Sequence, residues 1–173
     1  MKAVALVGFM GAGKTSVGRA LAERIGWHFE DLDDLIQTRE GLTIEQIFSH
    51  RGEPAFRDLE RVVLREAVAN ENPKHLVLAL GGGAFVAAHN QEFLRAARIP
   101  AVFLDAPVEE LFRRCEQPGV HRPNRRDPET FSQLYERRRP AYMNAGLYID
   151  TYRKTIASVV EEITSALQLG VSE

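Results

Sequence analysis

The chain has 173 residues, of which 45% are hydrophobic and 27% charged, and its formal net charge is −2. Those values fit one globular domain with a sizeable core and give no global pull toward nucleic acid or membrane. A single cysteine, Cys115, excludes an internal disulfide and a cysteine metal cluster, and no apolar run is long enough to span a bilayer.

Taken in chain order, the elements alternate. Ala3-Val4-Ala5-Leu6-Val7 is an apolar stretch of strand length. Behind Met1-Lys2 it faintly resembles a signal peptide, but it is short and leads straight into a glycine-rich loop, so a strand and a cytoplasmic protein are expected. The next residues, Gly8-Phe9-Met10-Gly11-Ala12-Gly13-Lys14-Thr15, fit G-x-x-x-x-G-K-[ST]. Ser16 to Ile25 then reads as a helix, with Val17, Leu21 and Ile25 on one face. Strand, glycine loop and helix is the context a phosphate-binding P-loop requires. Gly11, Ala12, Gly13, Lys14, Thr15 and Ser16 are therefore the expected contacts of a nucleoside triphosphate. Backbone N–H groups would ring the phosphates, Lys14 would place a charge on the β and γ groups, and Thr15 would offer a hydroxyl to Mg²⁺.

Trp27 to Glu30 is a second strand. Asp34 to Thr38 and Thr43 to Ser49 are short helices, with Thr43 an N-cap, and Glu53 to Asn70 is a longer helix. His75 to Leu80 is a buried strand that ends at Gly81-Gly82-Gly83, followed by a helix over Asn90 to Ala97. Pro100 to Leu104 is a strand, Val108 to Cys115 and Pro128 to Arg139 are helices, Leu147 to Ile149 is the last strand and Thr155 to Leu169 the last helix. Five apolar strands separated by helices predict an α/β, three-layer fold with a parallel sheet covered on both faces. Ligands of such sheets gather beyond the C-terminal strand ends.

Four constellations fall at those ends. Asp31-Leu32-Asp33 follows the second strand; residues i and i+2 of an extended segment point the same way, so both carboxylates can face the crevice, one for Mg²⁺ and one for a hydroxyl. The competing reading is helix capping by Asp31, Asp33 or Asp34. Arg57, beside Phe56 and three residues before Glu60, either grips a carboxylate with two parallel hydrogen bonds or forms a surface i,i+3 ion pair. Gly81, Gly82 and Gly83 either let backbone approach a ligand or form a plain turn. From Arg113 to Arg139 the chain carries eight arginines and four acids, broken in the middle by Pro118, Gly119, Pro123 and Pro128. That pattern suits a lid over the phosphates. It lacks the interleaved aromatics of a nucleic-acid patch, and a solvated loop accounts for Arg125 and Arg126.

With these motifs in family order, joined by Gly-Glu-Pro-Ala-Phe-Arg at 52–57, Arg-Pro at 122–123 and Arg-Arg-Pro-Ala-Tyr at 138–142, the whole chain resembles shikimate kinase, of the nucleoside-monophosphate-kinase-like P-loop group. The resemblance implies a P-loop kinase fold of five parallel strands with a mobile lid at about 116–127. It implies a core at about 1–30, 72–112 and 140–173 and a substrate-binding region at about 31–62. The reaction implied is Mg²⁺-dependent transfer from ATP to the 3-hydroxyl of shikimate. Lys14 and Thr15 match the phosphate lysine and the metal hydroxyl, Asp31 the acid near the metal, and Asp33 the acid on the shikimate hydroxyls. Arg57 and Arg138 match the pair that clamps the carboxylate, and Gly82 a substrate-contacting glycine. Arg122 matches the lid arginine on the ATP phosphates. Arg114 resembles the adenine-stacking arginine, with Arg153 or Lys154 nearby. Glu60 would hold Arg57, and Phe48 and Phe56 would line the pocket. A monomer acting on small molecules, without nucleic acid or membrane, is expected.

Three departures from the family pattern are visible. Asn124-Arg125-Arg126 replaces apolar residues after Arg-Pro, Ala79 stands where a hydroxyl residue is common, and the chain is about one residue shorter after Tyr142. A gluconate kinase would share the P-loop, the crevice and an arginine clamp. A GTP-binding switch would carry Asn-Lys-x-Asp, which does not occur here.

Overall fold

A computed structural model of the protein describes residues 1–70, 72–116 and 127–170. Five strands, β1 (Ala3–Val7), β2 (His28–Asp31), β3 (Leu76–Ala79), β4 (Ala101–Asp105) and β5 (Leu147–Asp150), form one parallel sheet in the order β2-β3-β1-β4-β5. Register pairs Val4 with Val77, Leu6 with Val102, Glu30 with Leu78 and Phe103 with Tyr148. Every residue of β1, β3 and β4 is buried. Alternate side chains point to opposite faces, so both faces of the sheet are covered, as the unbroken apolar runs foretold.

Among the described residues seven helices connect and cover these strands: α1 (Lys14–Ile25), α2 (Leu32–Glu40), α3 (Ile44–Ala69), α4 (Ala88–Ala96), α5 (Val108–Cys115), α6 (Pro128–Tyr142) and α7 (Ile156–Ala166). The core lies between helices and sheet, with Leu6, Leu21, Leu78, Phe103 and Ile163 each exposing no more than 1% of their surface. Among the described residues no helix is long and apolar enough to cross a membrane.

Four differences from the sequence expectation bear on the site. Helix α2 starts at Leu32, two residues before the expected Asp34, so Asp33 sits in a first helical turn and not in an extended segment. The two helices expected from Thr43 run on as α3, broken only at Gly52, whose φ of 77° and ψ of 171° lie outside the helical region. Helix α6 passes Pro140 and ends at Tyr142 instead of Arg139. A proline inside a helix removes one backbone donor, but burial of the Tyr142 ring sustains the final turn. A 3-10 turn at Ala84–Val86, too short for any periodicity, follows the triple glycine.

Thr43 is the N-cap of α3 in a full capping box: Gln46 N donates to Thr43 Oγ1 at 3.2 Å, and Thr43 N donates to Gln46 Oε1 at 2.9 Å. Thr43→Ala is expected to cost about 1 kcal/mol. For a chain of this length that lowers the melting temperature by about 2–4 °C, readable by calorimetry.

Candidate active site

The loop after β1 is shaped at Gly8 and Gly11 by backbone contacts that leave no room for a Cβ. Gly11 has φ of 81°, and a Cβ there would lie 2.5 Å from the Leu111 carbonyl oxygen of α5. Helix α1 starts directly behind Gly13. Its first N–H groups lack intrahelical partners and point toward the loop, where an anion is favoured. Lys14 Nζ donates to the carbonyls of Gly8 at 2.9 Å and Phe9 at 3.1 Å, so the ammonium is folded over the loop. Ala12 is buried, its N–H donating to the Phe9 carbonyl at 3.2 Å, and Ser16 is exposed. Thr15 Oγ1 donates to Asp31 Oδ2 at 3.1 Å, joining the start of α1 to the end of β2.

Asp31 does two things at once. Its Oδ1 accepts from the Asp33 backbone N–H at 3.0 Å as the N-cap of α2, while Oδ2 takes the Thr15 hydroxyl. Capping and a crevice-facing carboxylate are therefore compatible. Asp33 reaches the crevice from the first turn of α2: a Cβ on Gly81 would lie 2.6 Å from its Oδ1.

The three glycines receive three different groups. Asp33 covers Gly81, and the Arg138 guanidinium stands over Gly82, 3.2 Å from where a Cβ would be. The Arg57 guanidinium lies against Gly83 closely enough that a Cβ would overlap it. Tyr142, one helical turn beyond Arg138, donates its hydroxyl to the Gly82 carbonyl. Burial pushes the Tyr142 phenol up to about 12, against the pull of the Arg138 guanidinium, so it stays a donor at neutral pH. From α4, Asn90 and Gln91 donate to the carbonyls of Ala84 at 2.9 Å and Phe85 at 2.7 Å, fixing the turn behind the glycines.

Arg57 is half-buried and pairs inward. Its Nη1 donates to both oxygens of Glu60, at 2.9 and 3.1 Å, and Glu60 is only 1% exposed. Burial raises the Glu60 carboxyl, opposed chiefly by Arg57; Asp33 adds to the rise and Arg138 to the opposition. The four groups thus share one electrostatic environment. The opposite edge of Arg57 meets the exposed carboxylate of Glu53 at 3.3 and 3.4 Å. Phe56 is buried, its ring 4.4 Å from that of Phe48, and Arg57 lies 5.3 Å from the Phe56 centroid.

Arg114 leaves the end of α5 and bridges two segments. Its Nη1 donates to the Gly11 carbonyl at 3.3 Å and to Thr151 Oγ1 at 3.0 Å, and its Nη2 donates to the Thr151 carbonyl at 3.2 Å. Arg113 and Arg114 hold the Glu110 carboxyl down at about 2. Lys154 is paired with Glu162 of α7 at 2.7 Å, and Arg153 lies over the Tyr152 ring. Arg122, and the expected lid except for Glu116 and Asp127, lie outside the described residues.

Sequence reasoning passed over Asp105, at the end of β4, and its partners Tyr135 and Arg139 on α6. Asp105 Oδ1 accepts from the Tyr135 hydroxyl at 3.0 Å, and Oδ2 from Arg139 Nε at 3.1 Å. A carboxylate at the C-terminal end of a strand is part of the signal that drew notice to Asp31, and it applied equally here.

With this geometry in view, comparison with known proteins is specific. The family model for shikimate kinase matches residues 10–168. A shikimate kinase of Geobacter metallireducens is 42% identical over 168 residues, covering 95% of this chain and 91% of that one. One of Thermus thermophilus is 40% identical over 167 residues, covering 95% and 89%. The crystal structure of shikimate kinase from Bacteroides thetaiotaomicron superposes with a TM-score of 0.86 at 34% identity, over 96% of this chain and 98% of that one. The Acinetobacter baumannii enzyme in complex with shikimate gives 0.86 at 38%, over 97% and 93%. A gluconokinase from Sinorhizobium meliloti gives 0.64 at 20% identity over 96% and 91%, which is a likeness of fold. By sequence and by architecture alike, the chain belongs to the shikimate kinase family.

Proposed function

We infer that the protein transfers the γ-phosphoryl group of ATP to the 3-hydroxyl of shikimate, forming shikimate 3-phosphate and ADP on the route to chorismate and the aromatic amino acids. The observation that carries this reading is the convergence of Asp33, Arg138 and Arg57 on Gly81, Gly82 and Gly83, in a crevice shared with the P-loop. Two guanidinium groups at one end suit a carboxylate, and a carboxylate at the other suits hydroxyls. That division matches a hydroxylated ring acid.

Phosphoryl transfer passes through a loose transition state whose charge spreads over the equatorial oxygens, so positioning and charge stabilisation supply most of the acceleration. Lys14 meets the β and γ phosphates from its place over the loop, and the N–H groups from Gly11 to Ser16 cradle them. Asp33 aims the acceptor hydroxyl and takes its proton late. Arg57 and Arg138 fix the acceptor's far end, with Glu60 holding Arg57, Phe48 and Phe56 walling the pocket, and Gly82 touching the ring. Arg122 reaches the phosphates from the lid, Arg114 lies against the adenine, and Lys154 borders that pocket.

Thr15 and Asp31 are hard oxygen donors 3.1 Å apart beside the phosphate loop, a set that suits Mg²⁺ completed by phosphate and water oxygens. When bound there, the ion neutralises charge on the β and γ phosphates. On this reading the protein is a cytoplasmic monomer that handles two small molecules, with no nucleic acid or membrane partner. Residues 1–30, 72–112 and 140–173 form the core, 31–62 the acceptor-binding region and 116–127 the lid.

A coupled ADP-release assay on shikimate and gluconate tests the assignment: turnover of shikimate alone is expected, and turnover of gluconate alone overturns it. The two aspartates separate the metal from the acceptor. Asp33→Asn should lower kcat by about two orders of magnitude, as loss of a positioned proton acceptor does, with MgATP binding unchanged. Asp31→Asn should instead raise the Mg²⁺ concentration needed for half-maximal rate. Identical Mg²⁺ titrations for both variants would remove this division of labour.

A further inference from the structure

Helix α6 carries Arg138 and Tyr142, the two residues that meet Gly82. The same face of the helix is also held by a half-buried hydrogen-bonded cluster at the end of β4, which the transfer chemistry does not use. Asp105 is 3% exposed and accepts from Tyr135 at Oδ1 and from Arg139 at Oδ2; Arg139 Nε also reaches the Tyr135 hydroxyl at 3.1 Å. We propose that Asp105, acting through Tyr135 and Arg139, is a positioning residue for acceptor binding: it sets the rotation and height of α6 and thereby the place of Arg138 over Gly82. The proposal rests on the reading of Arg138 as part of the carboxylate clamp.

Three observations support it. First, Tyr135, Arg138, Arg139 and Tyr142 lie within two turns of one helix, and Arg138 is adjacent to Arg139, so a rotation that loosens one displaces the other. Second, burial and the Asp105 charge push the Tyr135 phenol up to about 12, so Tyr135 remains a donor to a carboxylate at any working pH. A bond from a phenol to a carboxylate is charge-assisted. Third, the connection to the nucleotide side runs through a different atom. The Asp105 backbone carbonyl accepts from Thr151 N at 2.8 Å and from Thr151 Oγ1 at 2.9 Å, and Thr151 in turn holds Arg114 against Gly11. A side-chain substitution leaves that carbonyl in place. The P-loop also leans on α6 through Phe9, whose ring is 5.6 Å from that of Tyr135 and 5.0 Å from that of Phe131, and Tyr135→Phe preserves both contacts. Loss of the hydroxyl alone should therefore be felt at the acceptor and not at ATP.

The test is steady-state kinetics of the full chain with Tyr135→Phe and Asp105→Asn, each in the wild-type and Arg138→Met backgrounds. In the wild-type background the shikimate KM should rise about three- to tenfold, the size of one ordinary hydrogen bond and less than the full loss of a charge-assisted one because the change reaches Arg138 only indirectly, while the MgATP KM and kcat stay within about twofold. In the Arg138→Met background the same changes should move the shikimate KM less than about twofold, because coupled residues do not add. A purely structural role predicts a lower melting temperature and less active protein with both KM values unchanged; that result overturns the proposal, as does an equal KM rise in the two backgrounds. If the buried Asp105→Asn chain fails to fold, Tyr135→Phe alone decides, since it removes one atom and keeps the ring. Wild-type protein that turns over no shikimate overturns the functional reading and this role with it. Normal wild-type turnover with an unchanged KM in Tyr135→Phe overturns this role alone.

Discussion

Lys14→Met abolishes phosphoryl transfer and leaves the melting temperature close to that of wild type: that is the largest effect expected. The half-buried ammonium donates to the Gly8 and Phe9 carbonyls, and the loop glycines and helix α1 remain without it, so the fold loses little. The transition state loses a preorganised charge, and removal of one such group typically costs about 2.7–4 kcal/mol, or about a hundred- to a thousandfold in kcat. A coupled ADP assay beside a thermal melt reads both quantities. A folded variant with near-wild-type turnover would remove the P-loop from the mechanism.

Arg57→Lys is expected to weaken the hold on the acceptor sharply. Lysine keeps the charge and loses the planar fork that serves Glu60 with one nitrogen and turns its other edge to the exposed carboxylate of Glu53. A charge-assisted hydrogen bond contributes about 1.5–3 kcal/mol, so kcat/KM for shikimate should fall about ten- to a hundredfold with ATP affinity nearly unchanged. Gly83→Ala should imitate it, since the new methyl group would occupy space the guanidinium now fills. A shikimate analogue bearing an amide in place of the carboxylate should be a poor substrate for the wild-type protein and lose little more in Arg57→Lys. Equal turnover of the amide and the acid would reduce Arg57 to a structural partner of Glu60.

Much of this site was legible because its chemistry uses residues that have no packing reason to be where they are. Lys14 and Thr15 behind a glycine loop could be placed on local pattern alone, and so could the capping Thr43. Asp33 reached the expected place by another route. Alternation along a strand was the expected cause, whereas the first turn of α2, capped by Asp31, delivers it. The pairing of Arg57 with Glu60 was visible as spacing, but its burial was not, because local sequence does not report what α3 packs against. Asp105, Tyr135 and Arg139 were missed for the same reason: the bonds join residues 30 and 34 positions apart, and only the crossing of α6 over the end of β4 brings them together. Pro140 misled in the other direction, since a local rule for ending helices yielded to the burial of Tyr142.

The triple glycine has a consequence for anyone wishing to change what this crevice accepts. Three helices each hang one charged group over one of three successive peptide units, in the order Asp33, Arg138, Arg57. The backbone therefore acts as a gauge: a methyl group added at Gly81 or Gly83 would displace Asp33 or Arg57, whereas at Gly82 the Arg138 guanidinium, 3.2 Å from the new atom, need give only slightly. Position 81 adjusts the hydroxyl end, and positions 82 and 83 adjust the two halves of the carboxylate clamp. A small library confined to these three codons would sample acceptors of different length and charge separation without touching the phosphate loop.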